Sequence, residues 1–229
     1  MDLFEYAASA SAENRTLADR MRPRTLDEVI GQEHLLAPGK PLRRAIETDR
    51  IGSMLLYGPP GCGKTSLAHI IANRTKAEFV RLNAVDASVK DVRSVIDRAR
   101  ENLAMYGRRT ILFLDEVHRF NTAQQDALLS AVERGDVVLI GATTENPFHH
   151  VNGALLSRVT LYKMERLEKR HVLTALKRAL EDRERGFGAL KLEVDEEALD
   201  VLATASGGDI RRALNALELA AATSPRITR

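Results

Sequence analysis

The sequence predicts an α/β fold, a three-layer sandwich built on a parallel sheet, followed by a small helical lid domain. Three observations carry this expectation. Short, strongly apolar segments alternate with segments of helical period between residues 52 and 164. The central segment, TILFLD at 110–115, is too apolar for a half-wetted strand and suits the middle of a sheet covered on both faces. After about Glu165 no apolar segment of comparable strength recurs, and apolar residues fall at helical spacing instead.

Taken in order, residues 1 to 50 are mixed and broken by Pro23, Gly31, Pro38, Gly39 and Pro41. GSMLLYG, 52–58, reads as the first buried strand, and a helix follows from about Lys64 to Arg74. EFVRLNA, 78–84, is the next strand. From Ser88 to Met105, Val89, Val92, Val95, Ile96, Ala99 and Leu103 recur at threes and fours and make an amphipathic helix. After TILFLD come a helix over Ala123–Glu133, the strand DVVLIGATT at 136–144 and a last strand, VTLYKM, at 159–164. Beyond a linker at Met164 to Leu167, Glu168–Arg185, Asp195–Ala205 and Asp209–Ala222 read as helices. The expected domains are 1–166, an N-terminal segment with the α/β domain, and 167–229, a truncated helical lid. The ending SPRITR opens with a helix breaker and reads as an interrupted chain.

Bulk composition excludes several functions. With 34 Lys and Arg against 32 Asp and Glu, the net charge of +2 means that any nucleic-acid surface is local. Aromatic residues are 4% of the chain, without Trp, so base-stacking platforms are scarce. The single Cys62 rules out an internal disulfide framework and a multi-cysteine zinc module, and fits a reducing interior. The first residues lack a basic start followed by an apolar stretch, and no apolar run approaches the roughly 18 residues of a membrane span. A soluble, cytoplasmic protein with no membrane partner is expected.

Chemistry concentrates in two motifs. GPPGCGKTS, 58–66, fits G-x-x-x-x-G-K-[ST] at a strand-to-helix junction. Gly58, Gly61 and Gly63 permit tight turning, so that successive backbone amides of the loop can surround phosphate oxygens. Lys64 is placed for the β and γ phosphates of ATP and the Thr65 hydroxyl for Mg²⁺. LFLDEVHRFN, 112–121, supplies Asp115 for the magnesium shell and Glu116 to polarise the attacking water. Its D-E-x-H spelling also matches a helicase class, but that class needs a second sheet domain for which this chain has no room. His118 then reads as a packing or hydrogen-bonding residue. Thr143 and Thr144 lie where a polar group can contact water or the γ phosphate; Arg158 in LLSR is a candidate to face a neighbouring subunit, and Arg211 in GGDIRR a candidate to reach back to phosphate.

GPPGCGKTS, LFLDE, GATT, LLSR and GGDIRRALN, in this order, resemble the AAA+ ATPases of the clamp-loader clade. RMRPRTLDEVIGQEHLLAPGKPLRRAIE, LNAVDASVKDVR and the block from DEVHRFN through GATTENP narrow the resemblance to the replication-associated recombination protein A family, whose eukaryotic members are the Werner-helicase-interacting proteins. The likeness covers about 17–222. It implies that Thr144 is the first sensor, that Asn83 restrains Glu116, that Arg158 acts in trans on a neighbour's ATP, and that Arg211 is the second sensor. Val29, Ile30 and Gly31 match the segment beside adenine, and Pro59, Pro60, Gly61, Cys62, Gly63 and Ser66 the phosphate loop.

The resemblance further implies a homo-oligomer, tetrameric in full-length members. Such proteins act at DNA forks, gaps or ends, with single-stranded-DNA-binding protein and the sliding clamp nearby. Cys62 and Ser66 stand where the family has Thr, which would make the site oxidation-sensitive at Cys62, and NPFHHVN replaces the usual NPSFEVN. Arg15, Arg20, Arg22, Arg24, Arg43 and Arg44 form a candidate DNA-facing patch read through phosphates rather than bases. Two alternatives stay open: a clamp-loader subunit, and an interaction module that binds nucleotide with negligible turnover.

Overall fold

The computed structural model describes residues 15–190 and 192–228. In chain order the elements are α1 (Leu17–Arg20), a 3-10 turn (Leu26–Glu28), α2 (Glu33–Leu36), α3 (Pro41–Glu47), β1 (Met54–Tyr57), α4 (Lys64–Arg74), β2 (Glu78–Asn83), α5 (Val89–Tyr106), β3 (Thr110–Asp115), a 3-10 turn (Val117–Arg119) and α6 (Thr122–Arg134). There follow β4 (Val138–Thr143), α7 (Pro147–His150), α8 (Gly153–Leu156), β5 (Thr160–Lys163), α9 (Lys169–Glu181), β6 (Glu193–Val194), α10 (Glu196–Ala205), α11 (Ile210–Thr223) and β7 (Arg226–Ile227). Two compact units result: one is Pro23–Glu165, the other joins the segment ending at Arg22 to the residues from Arg166 onward.

The larger unit is a parallel sheet in the order β2-β3-β4-β1-β5. Strand period decides its layers. Ile111 and Phe113 of β3 join Met54 and Leu56 of β1 and Ile140 and Ala142 of β4 in one core, closed by Leu42 and Ile46 of α3 and Leu67, Ile70 and Ile71 of α4. The alternate residues Leu55, Leu112, Leu114 and Leu139 face the opposite core with Val92, Ile96 and Ala99 of α5 and Leu128 and Ala131 of α6. Residues 110–114 of β3 are therefore buried without interruption, as a strand covered on both faces requires.

Local chemistry sets the helix ends. Ser88 and Asp91 form a reciprocal capping box before α5, which closes at Gly107 with φ 61°. Asn121 and Gln124 do the same before α6, which closes at Gly135. α9 stops at Glu181, earlier than periodicity predicts, because the Asp182 carboxylate accepts the backbone N–H groups of Glu184 and Arg185 and turns the chain.

The second unit has its own core, with Leu17, Val172, Leu176, Leu199, Leu214 and Leu217 at its centre. The sequence assigns the whole N-terminal segment to the α/β domain, but α1 packs here: Leu17 is fully buried and its amide donates to Glu218 Oε1 at 2.8 Å. The sequence also shows no strand of comparable strength in this region; β6 and β7 nevertheless pair in parallel through Glu193–Arg226 and Val194–Ile227, with β7 inside the SPRITR ending. Two-residue strands are too short to show a period. Among the described residues no helix is long and apolar enough to cross a membrane.

Candidate active site

β1 ends at Tyr57, and the chain must turn at once into α4. Gly58 does so at φ 155°, its N–H donating to the Thr143 carbonyl at 3.2 Å. A Cβ there would lie 2.2 Å from the Met164 carbonyl oxygen, so only glycine fits. Gly61 and Gly63 also take positive φ, and Lys64 opens α4 with its side chain folded back into the loop. Its ammonium donates to Gly58 O at 2.7 Å and Pro59 O at 2.8 Å and lies 3.8 Å from Cys62 Sγ. The N-terminal end of α4 thus brings the backbone amides of its first turn and a cation together, the arrangement that favours a bound phosphate. Thr65 and Ser66 are half-buried in its first turn.

Cys62 is 2% exposed. Burial pushes its thiol up, against the weaker opposing pull of Lys64. Oxidation proceeds through accessible thiolate, so the expected oxidation sensitivity is not supported at this buried, protonated sulfur. Gln32, also buried, clamps the loop: its amide donates to Cys62 O at 3.3 Å and Glu165 O at 2.9 Å and accepts from Glu165 N at 3.0 Å.

Asp115 ends β3, with Arg81 of β2 at 3.1 Å from its carboxylate. The Arg81 guanidinium also lies 5.9 Å from the centre of the Phe113 ring. Glu116 follows in the left-handed region, φ 56° and ψ 45°, which costs a non-glycine residue roughly 1–3 kcal/mol and aims its side chain off the strand line. Its Oε2 lies 3.3 Å from His118 Nδ1, and the same nitrogen is 2.9 Å from Thr143 Oγ1. β4 lies between β1 and β3, so the phosphate loop, the Thr143 end of β4 and the two carboxylates occupy one edge of the sheet. That edge, at the C-terminal ends of parallel strands, is where open α/β sheets bind ligands.

The remaining expected residues are placed as follows. Asn83 neighbours Asp115 in register, but its side chain serves its own turn, bonding Asp86 Oδ2 at 3.2 Å and the Val85 amide at 3.1 Å. Thr144 lies exposed just past the end of β4, whereas Thr143 is fully buried. Arg158 is exposed and tied within its own chain, to Glu133 at 2.5 Å, Ser157 Oγ at 2.6 Å and Ala154 O at 3.0 Å. Val29 and Ile30 are half-buried before the buried Gly31.

Arg211 is exposed in the first turn of α11, in the helical unit. It acts on Asp19 there: burial pushes that carboxyl up, but hydrogen bonds from Arg22 and Thr16 and the charges of Arg22 and Arg211 bring it below its ordinary value.

Several of the expected DNA-facing arginines are already engaged. Arg20 bonds Glu218, Arg185 O and Arg15 O; Arg22 pairs with Asp19; Arg43 with Asp27 and Glu47. Residues that sequence reasoning misses are Gln32, Arg81 and Glu133, and it finds His118 and Thr143 without their link. Each meets its partner across a long stretch of sequence, through strand order for Arg81 and for His118 with Thr143, and through loop and helix packing for Gln32 and Glu133.

The profile of the ATPase family associated with various cellular activities (AAA) matches residues 54–167, and that of an AAA C-terminal domain matches 188–228. Replication-associated recombination protein A of Escherichia coli K12 is 51% identical over 205 residues, 90% of this chain and 46% of that protein. The chain belongs to the AAA+ ATPases of the replication-associated recombination protein A family. ATPase WRNIP1 of Dictyostelium discoideum is 46% identical to this AAA+ chain over 89% of its length and 23% of the relative's. In structure, the Thermotoga maritima RuvB Holliday junction branch migration motor matches at a TM-score of 0.69 and 29% identity, covering 91% of this chain and 70% of the other. The AAA+ chain spans about half the length or less of the curated relatives it matches.

The donor set fits Mg²⁺ held jointly with a nucleotide. Among the described residues no three His, Cys, Asp or Glu side chains converge to hold a metal alone. Mg²⁺ in such sites keeps its waters and phosphate oxygens and needs only one or two protein ligands, and Asp115 and Thr65 are the residues that would supply them.

Proposed function

We propose that this chain is the ATP-hydrolysing module of a DNA-maintenance protein, coupling nucleotide binding and hydrolysis to remodelling or recruitment at stalled forks, gaps or DNA ends. One observation carries the reading. Lys64 in its glycine loop and the pair Asp115 and Glu116 end two strands of one sheet, β1 and β3, separated by β4 alone. A triphosphate seated on the α4 N-terminus extends along that edge. Lys64 would exchange its carbonyl partners for phosphate oxygens, and Thr65 and Asp115 would hold Mg²⁺, whose charge would offset that of the phosphates. Glu116 orients the attacking water, with Thr144 as the polar group past the strand end. Pro59, Pro60, Gly61, Cys62, Gly63 and Ser66 contribute the loop, and Val29 and Ile30 flank the base.

In this reading Arg158 completes the site of a neighbouring subunit, Arg211 reports closure of the lid, and Asn83 governs access to Glu116. Hydrolysis then depends on subunit contact in a homo-oligomer, tetrameric in the full-length protein. Single-stranded-DNA-binding protein and the sliding clamp are the proposed partners, and the bacterial nucleoid within the cytoplasm the proposed setting.

The test is ATP hydrolysis across protein concentration, with and without forked or gapped duplex, for the unchanged chain, Glu116→Gln and Arg158→Ala. Turnover that rises more steeply than concentration, falls at least about 100-fold in both variants and partly returns on mixing them places Glu116 and Arg158 in different subunits. A requirement for a second, different subunit would indicate a clamp-loader component instead.

One observation favours a module with negligible turnover: Arg158 is bonded to Glu133 of its own chain. Tight ATP binding without hydrolysis at any concentration would establish that reading.

A further inference from the structure

D-E-x-H leaves one residue without a task. His118 is 11% exposed, and its Nδ1 lies within reach of two partners, Thr143 Oγ1 at 2.9 Å and Glu116 Oε2 at 3.3 Å. One nitrogen cannot serve both equally. The Thr143 hydroxyl is fully buried and already accepts the Glu145 amide at 3.0 Å. Its proton therefore needs an acceptor, because a buried hydroxyl left without one loses the hydration it had in the unfolded chain and gains nothing in return. His118 Nδ1 supplies that acceptor only when it carries its lone pair, and a lone pair faces the Glu116 carboxylate unfavourably. To hold Glu116, Nδ1 must carry the proton, and the Thr143 hydroxyl then loses its acceptor. The two bonds are mutually exclusive.

We propose that His118 is a positioning residue for Glu116: its Nδ1 alternates between accepting from Thr143 and donating to the carboxylate, so that the state of the β4 end sets the direction of the catalytic glutamate. This rests on the reading of Glu116 above. The exchange has a physical route to the phosphate loop, since the Thr143 carbonyl accepts the Gly58 N–H at 3.2 Å. A shift of that loop on a phosphate moves Thr143 and with it the balance at His118. Other charged or titratable groups around the ring are Arg119 on its own turn, Glu145 beyond β4, and the imidazoles of His150, 6.0 Å from His118, and His149, 6.5 Å from His150.

The experiment reads the His118 tautomer directly, from imidazole ¹⁵N shifts of the nucleotide-free chain at a pH of about 8, where an ordinary imidazole is neutral. Thr143→Val removes the donor and should move His118 toward the Nδ1–H form. Glu116→Gln removes the carboxylate and should move it the other way, while Thr143→Ser, which keeps a hydroxyl, should restore the wild-type shifts. In turnover, His118→Gln should lower kcat roughly 10- to 100-fold with KM for ATP within about two-fold, the pattern of a misplaced catalytic group. Opposite shifts in the Thr143→Val and Glu116→Gln variants establish the exchange even where turnover is absent. Shifts that are unchanged, or that move in the same direction in both variants, overturn it. Loss of turnover in Glu116→Gln tests the hydrolysis reading separately, so failure of one is distinguishable from failure of the other.

Discussion

At the scale of single residues, the phosphate loop leaves no room for side-chain substitution at its first glycine. Gly58→Ala drives a Cβ into the Met164 carbonyl, a backbone atom that cannot rotate away. The expected outcome is a loss of about 1–3 kcal/mol in denaturant unfolding, with ATP binding lost in calorimetric titration even where the variant folds. Cys62 gives a second prediction. Buried, with its thiol pushed up by that burial, it should react with iodoacetamide at least about 10-fold more slowly than a free thiol at a pH of about 8, and at the free rate once the chain is unfolded. The positions of Lys64, Asp115 and Glu116 at strand ends are legible in the sequence because each follows an apolar strand at a fixed spacing along one continuous stretch. Gln32 against Cys62, Arg81 against Asp115 and His118 against Thr143 are not. Their sequence separations carry no periodic signal, and their meeting depends on which strand lies beside which.

At the scale of elements, strand and helix periods set most boundaries. The residues of β3 divide alternately between two cores, and α5 and α6 are bounded at their starts by the capping boxes Ser88–Asp91 and Asn121–Gln124. Periodicity fails where side-chain hydrogen bonds override it, as at Asp182 after α9, and where an element is too short to have a period, as in β6 and β7.

The join between α5, α6 and β4 is testable through Asp136, which receives Arg100 at 2.8 Å and Arg134 at 3.0 Å. Burial pushes its carboxyl up, but hydrogen bonds from both arginines and their charges outweigh this and leave it below the ordinary value. A depressed carboxyl contributes stability that is present above the unfolded value, about 3.9, and disappears as pH falls through the lower folded value. Asp136→Asn should therefore cost roughly 1–3 kcal/mol near neutrality, and urea midpoints of variant and parent should converge as pH falls through the lowered folded value. Asn121→Ala, which removes one half of a capping box next to the catalytic turn, should cost about 1 kcal/mol by the same measurement.

At the scale of the whole molecule, the chain crosses its own domain division: it begins in the helical unit at α1, builds the sheet, and returns. Leu17→Ala should destabilise by about 2–5 kcal/mol, and proteolysis should show the loss in the helical unit, with the α/β core from β1 to β5 still protected. The order β2-β3-β4-β1-β5 has one more consequence. Neighbouring strands are about 4.8 Å apart, so interposing β4 sets the glycine loop and Asp115 roughly 10 Å apart across the sheet edge. With the nucleotide seated as proposed, the sheet would act as a length gauge for its ligand. A single phosphate on the loop would fall short of the carboxylates, whereas a triphosphate would span the interval. Magnesium should accordingly tighten ATP binding and leave AMP binding unchanged, so that chain length of the phosphate is discriminated by strand order before any sensor residue takes part.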